Sequence, residues 1–254
     1  MSAPLRFAWV FCCVLLTSAT LARSQDSQSS ARLKDAIRAL DLHYSGARTL
    51  QADFLERYSE SGRETRVESG KVYFSRPGRM RWDYEAPEAK LFVSDGKTLW
   101  FYVPADRTAT PEPVKRSEDW RTPLALLTGK ANLSRLCSRV EFANPSATAE
   151  GNVILRCWPR GEKAPAGAPS GSAPSGDPMT GSAGSFTQVL LEVNPSSGQL
   201  ADVRVLEPGD VALDFRFGAW QENRPLPDSL FNFLPPKGVA IVPWLDANQG
   251  DAVQ

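Results

Sequence analysis

Apolar and polar residues along this chain alternate with a period of two far more often than with the period of a helix. The clearest stretch is residues 79–85. Met80, Trp82 and Tyr84 hold one phase there, and Arg79, Arg81, Asp83 and Glu85 hold the other. Successive side chains of a strand point to opposite faces, so this pattern predicts a strand buried on one side. Leu50, Ala52 and Phe54 predict another strand, and further strands are expected over residues 64–75, 90–94, 99–103, 187–193, 200–206 and 213–217. A last apolar run covers residues 239–242. Ser61-Gly62, Arg76-Pro77-Gly78 and Ala86-Pro87 punctuate the strands, and Asp95-Gly96 predicts a two-residue hairpin. Residues 104–115 are proline-rich and predict no regular element.

Helical spacing occurs in two places. Leu33, Ile37, Leu40 and Tyr44 form one stripe, with Ser29 or Ser30 as N-cap and Gly46 as the stop. A short, leucine-rich helix is expected from Pro123, which is tolerated in a first turn, to about Leu127, before Gly129. Neither βαβ alternation nor an internal repeat is visible. The pattern predicts a mainly β chain, a sandwich or barrel with helices covering an opening.

The N-terminus reads differently. Arg6 precedes an apolar run over residues 7–16, and small residues follow near Ala22 and Ser24. This predicts a signal peptide over residues 1–24, cleaved near residues 22–25, and hence export to the periplasm. Cys12 and Cys13 lie inside the apolar run without a lipobox. The remainder, residues 25–254, is expected to form a single domain. Residues 161–184 consist almost wholly of Gly, Ala, Pro and Ser with few core-forming side chains, and predict a disordered loop within that domain. Lys+Arg and Asp+Glu both number 29, so the formal net charge is zero. That balance disfavours a nucleic-acid binder.

Export would leave Cys137 and Cys157, both in strand-like runs. A hairpin centred near Ala147 would set them opposite each other, within reach of a disulfide. The alternative is a pair of buried thiols.

Little in the sequence suggests catalysis. His43 is the only histidine, and a Ser-His-Asp triad or a zinc site would have to be built around it. No phosphate loop is present, and Asp83 and Glu85 fall on the polar phase of their strand. The aromatic phase is more telling. Phe54, Met80, Trp82, Leu91 and Trp100, with the leucines of the short helix, are expected on one sheet face. A curved sheet with a helical lid is a container for an apolar ligand.

Three blocks in order, from Ser69 to Trp82, from Leu91 to Tyr102 and from Arg121 to Leu127, carry a resemblance. Leu50-Gln51-Ala52-Asp53-Phe54 precedes them, and Phe231-Asn232-Phe233 with Pro236-Lys237-Gly238-Val239 follows as a closing strand. Through these residues the chain resembles the LolA family of periplasmic outer-membrane lipoprotein carriers. The resemblance implies an unclosed antiparallel β-barrel with α-helices covering the mouth. It implies a non-enzymatic, monomeric carrier without cofactor or metal. Such a carrier accepts acylated lipoproteins from an inner-membrane ABC transporter and passes them to an outer-membrane lipoprotein receptor. It places Arg76 as the latch that holds the lid helices, and Phe54, Met80, Trp82, Leu91, Trp100, Leu124 and Leu126 as acyl-chain contacts. The 161–184 insert and the Cys137/Cys157 pair lie outside the family pattern. A lipid- or lipoprotein-sensing regulatory module on the same fold is the alternative.

Overall fold

The computed structural model describes residues 8–114, 126–129, 132–160 and 187–243. Leu124, most of the expected short helix, the 161–184 insert, residues 1–7 and the tail beyond residue 243 lie outside these. Helix α1 spans Ala8–Gly46. It runs straight through Ser29 and Ser30, which therefore do not cap it. No glycine or proline interrupts the chain between Ala8 and Gly46, so nothing stops the helix earlier. Among the described residues, no helix is long and apolar enough to cross a membrane.

The strands follow as β1 Thr49–Glu60, β2 Arg63–Ser75, β3 Arg79–Ala86, β4 Lys90–Ser94, β5 Thr98–Val103 and β6 Thr108–Pro113. After a single helical turn, α2 Leu133–Leu136, come β7 Cys137–Ala147, β8 Val153–Pro159, β9 Gln188–Val193, β10 Leu200–Glu207 and β11 Val211–Glu222. The last strand, β12, is only Ala240–Ile241. All twelve belong to one sheet, in the order β12-β6-β5-β4-β3-β2-β1-β11-β10-β9-β8-β7. Every pairing is antiparallel except β12 with β6. The two ends of the order do not pair with each other, so the fold is mainly β and its sheet is unclosed.

Four local readings are corrected. Residues 108–113 form a strand despite Pro111 and Pro113, because β6 meets only two residues of β12 on its outer side. A proline's missing N–H is tolerated at such an edge. The Asp95-Gly96 turn is a three-residue loop, in which Asp95 Oδ1 accepts from the amides of Lys97 and Thr98 at 2.7 and 2.8 Å. Phe231 to Val239 is not a closing strand: a 3-10 turn, Asp228–Phe231, is followed by irregular chain around Pro235 and Pro236. Cys137 and Cys157 are joined by a disulfide with Cα atoms 5.5 Å apart. They do not sit squarely opposite, however. The turn lies beyond Ala147, register shifts interrupt β7, and Cys157 pairs with Val140.

The outer face carries the charges. Lys71 bridges Asp53 and Glu85, and Arg81 holds Asp83. On β10, burial pushes the Asp202 carboxyl up to about 7, with the neighbouring Asp214 carboxylate adding to the effect. The folded protein thus holds this proton more tightly than the unfolded chain, whose value is near 3.8. The resulting stabilisation is fully present below that value and is lost as pH rises through about 7. Asp202→Asn should flatten the pH dependence over this window and be the more stable form at pH 8 by about 2–4 kcal/mol. Urea unfolding at pH 4, 6 and 8 measures it, and parallel curves for the two proteins would contradict it.

Candidate functional site

Cross-strand partners share a face, so the register of β3 assigns the rest of the sheet. Trp82 lies beside Val72 on β2 and Phe92 on β4, and Met80 beside Phe74 and Ser94. Phe92 continues to Phe101, while Phe54, Ala52 and Leu50 on β1 continue to Phe217 and its neighbours on β11. These side chains, with Phe215, Val203, Leu191 and Leu155, form one buried cluster that also contains Ala36, Leu40 and Tyr44 of α1. This inner face, covered by α1, is the candidate site.

Of the predicted acyl contacts, Phe54, Met80, Trp82 and Leu126 belong to that cluster. Leu91 and Trp100 do not. Leu91 pairs with Asp83, and Trp100 with Val93, on the opposite side of the sheet. Trp100 packs on Phe233 there, with ring centroids 5.5 Å apart. In the apolar runs Leu91-Phe92-Val93 and Leu99-Trp100-Phe101-Tyr102 both phases are hydrophobic, so alternation cannot tell which residue faces inward.

Polar contacts hold the C-terminal part of α1 on the cup. The amide of Leu200 donates to the Tyr44 hydroxyl at 3.0 Å, and the amide of Leu133 donates to Asp41 Oδ1 at 2.9 Å. His43 Nε2 lies 2.9 Å from Glu222. Gly198, at φ +77°, sits so close to the carbonyl of Ala39 that a Cβ would collide with it. Arg76 is the hub of this end. Its Nη1 donates to the carbonyl of Ala47, just beyond α1, at 3.2 Å. Its guanidinium also lies against Gly129, in the turn at 126–129, so close that a Cβ there would collide with it. The amide of Gly78 donates to the Thr128 carbonyl at 2.9 Å, tying the same turn to the Arg76-Pro77-Gly78 corner. Burial lowers the pKa of Arg76 from its usual value without removing its charge. An open recess of about 630 Å³ lies between α1, Arg76 and Arg135. A much smaller apolar pocket is lined by Leu126, Leu133, Leu136, Val189, Leu191 and the disulfide.

Sequence reasoning missed a charged floor at the far end of the inner face. Glu56 and Glu68 are 1% and 3% exposed. The Tyr84 hydroxyl donates to Glu56 at 2.7 Å, and Lys90 Nζ donates to Glu68 at 2.6 Å, with Arg66 3.5 Å away. Their signal was available: Glu56 is in phase with Ala52 and Phe54, and Glu68 with Val72 and Phe74. Carboxylates in an inward phase must be paired. Among the described residues, no group of three His, Cys, Asp or Glu side chains is placed to hold a metal ion.

Known proteins resemble this chain in sequence. Residues 45–149 match the family described as outer membrane lipoprotein carrier protein LolA. An outer-membrane lipoprotein carrier protein from Chromobacterium violaceum is 31% identical over 231 residues, covering 90% of this chain and 96% of its own. The carrier protein of the same description from Nitrosospira multiformis is 28% identical, covering 77% and 83% respectively. Among solved structures, a LolA superfamily protein from Nitrosomonas europaea superposes with a TM-score of 0.41 at 12% identity, covering 79% of this chain and 97% of its own. That structural likeness is too loose to bear on function.

Proposed function

The chain belongs to the LolA family of outer membrane lipoprotein carrier proteins, and from that membership we propose that it is a periplasmic carrier of acylated lipoproteins. It takes cargo released at the inner membrane by an ABC transporter and gives it up to a receptor at the outer membrane, working by binding alone and without a catalytic residue. The observation that carries this reading is the apolar inner face, continuous from Phe101 to Leu155, under helix α1. Each methylene of an acyl chain costs about 0.8 kcal/mol in water, so lipoproteins need a covered apolar surface to cross an aqueous compartment.

Arg76 is the latch in this scheme. It bridges the end of α1 and the 126–129 turn in the closed state, and those bonds must part when chains enter. Phe54, Met80, Trp82 and Leu126 then line the opened cup. Incubating the purified mature protein with spheroplasts should release soluble complexes that contain lipoprotein. If the medium held none, and mass spectrometry found the protein empty, the carrier role would be wrong.

A further inference from the structure

Trp82 lies at the centre of the inner face with no accessible surface, yet its Nε1–H has no hydrogen-bond acceptor among the described residues. A buried indole N–H usually finds a partner. The other large polar aromatics of the same cluster have done so. Trp220 Nε1 donates to the Leu200 carbonyl at 2.8 Å, and the Tyr84 hydroxyl donates to Glu56. The rings packed around Trp82 are those of Phe54, Phe74, Phe215 and Phe217, with centroids 4.9–6.2 Å away. None of those side chains carries an oxygen.

We propose that Trp82 Nε1–H is the donor that recognises the carbonyl oxygen of a fatty-acyl ester or amide once the cup has opened; this rests on the carrier reading above. Hydrocarbon chains alone would leave the donor as it is in the empty protein. A carbonyl at the head of those chains supplies the missing acceptor, in surroundings that exclude competing water. The bond forms only in the loaded state, so it favours loading without holding the empty cup shut. It also selects acyl-linked lipids over alkyl-linked ones.

The test compares two phosphatidylglycerol probes of equal chain length, one ester-linked and one ether-linked, with a triacylated lipopeptide as third ligand. The full mature chain should bind the ester probe roughly tenfold more tightly than the ether probe. Replacing the indole at position 82 alone with its benzothiophene isostere keeps the ring and removes the N–H, and should abolish the preference. In the unmodified protein, the Trp82 indole ¹⁵N–¹H resonance, assigned with Trp82→Phe, should move downfield with the ester probe and not with the ether. A preference retained by the isostere, or a Trp82 resonance that shifts with neither the ester probe nor the lipopeptide, overturns the donor role while leaving the carrier reading intact. Failure of all three ligands to bind overturns both. A resonance shift with the lipopeptide alone identifies acylated protein as the source of the carbonyl, and a shift with phospholipid identifies membrane lipid.

Discussion

Arg76→Leu should load lipoprotein and then fail to let it go, with transfer to an acceptor slowed about 10- to 100-fold. On the latch reading, the closed, empty protein owns contacts that the loaded one lacks. These are the Arg76 bond to the Ala47 carbonyl at 3.2 Å and the close approach of the guanidinium to Gly129. A hydrogen bond from a charged donor contributes about 1.5–3 kcal/mol. Removing it raises the free energy of the empty state and leaves the loaded state nearly unchanged. By linkage the cargo is then held more tightly, by the same free energy. The leucine adds apolar surface at the rim and acts in the same direction. The measurement is the rate at which preloaded protein passes lipoprotein to outer-membrane vesicles, alongside the amount loaded from spheroplasts. Transfer at the wild-type rate would remove Arg76 from the mechanism. Arg76→Lys should fall between the two, because an ammonium can take the carbonyl but cannot also fill the space against Gly129 with a guanidinium.

Gly70→Ala should cost about 3 kcal/mol or more, a fall in Tm of roughly 6–12 °C for a protein of this size. Gly70 lies on β2 between Phe54 on β1 and Tyr84 on β3. A Cβ at this position would run into the backbone carbonyl of Asp83, which cannot step aside without breaking the β2–β3 ladder. The missing side chain also lets the rings of Phe54 and Tyr84 meet across the intervening strand, with centroids 5.0 Å apart. Overpacking here therefore disturbs the ladder and the aromatic floor together. Thermal unfolding by circular dichroism measures it, and a Tm within two degrees or so of wild type would show that the strands have room to spare.

Much of this architecture was legible where charge and apolar residues interleave. Met80, Trp82 and Tyr84 could be placed inward because Arg79, Arg81, Asp83 and Glu85 mark the wet face. The Arg76-Pro77-Gly78 corner could be placed because proline and glycine restrict the backbone there. Leu91 and Trp100 were illegible for the opposite reason. Their strands are apolar in both phases, and only pairing with β3 fixes which side is inside, while the outer side is itself covered by Phe233. Glu56 and Glu68 failed differently. Alternation assigns carboxylates to water, and the pairing that makes their burial tolerable comes from Tyr84 and Lys90, each on the next strand but one, 28 and 22 residues away. The length of α1 was missed because a good N-cap residue acts only where the helix has reason to begin.

The unpaired ends of the strand order set how the molecule can deform. In a closed barrel, strand number and stagger fix the radius, and widening it means tearing a ladder. Here β7 stands at one margin, and β6 with the two residues of β12 at the other. The margins can spread like the edges of a bent card, with every antiparallel ladder between them kept intact. The volume available to a guest is then governed by how far the helix swings and how much the sheet uncurls. A carrier built on this scaffold would take cargo bearing different numbers or lengths of chains, at a cost in bending.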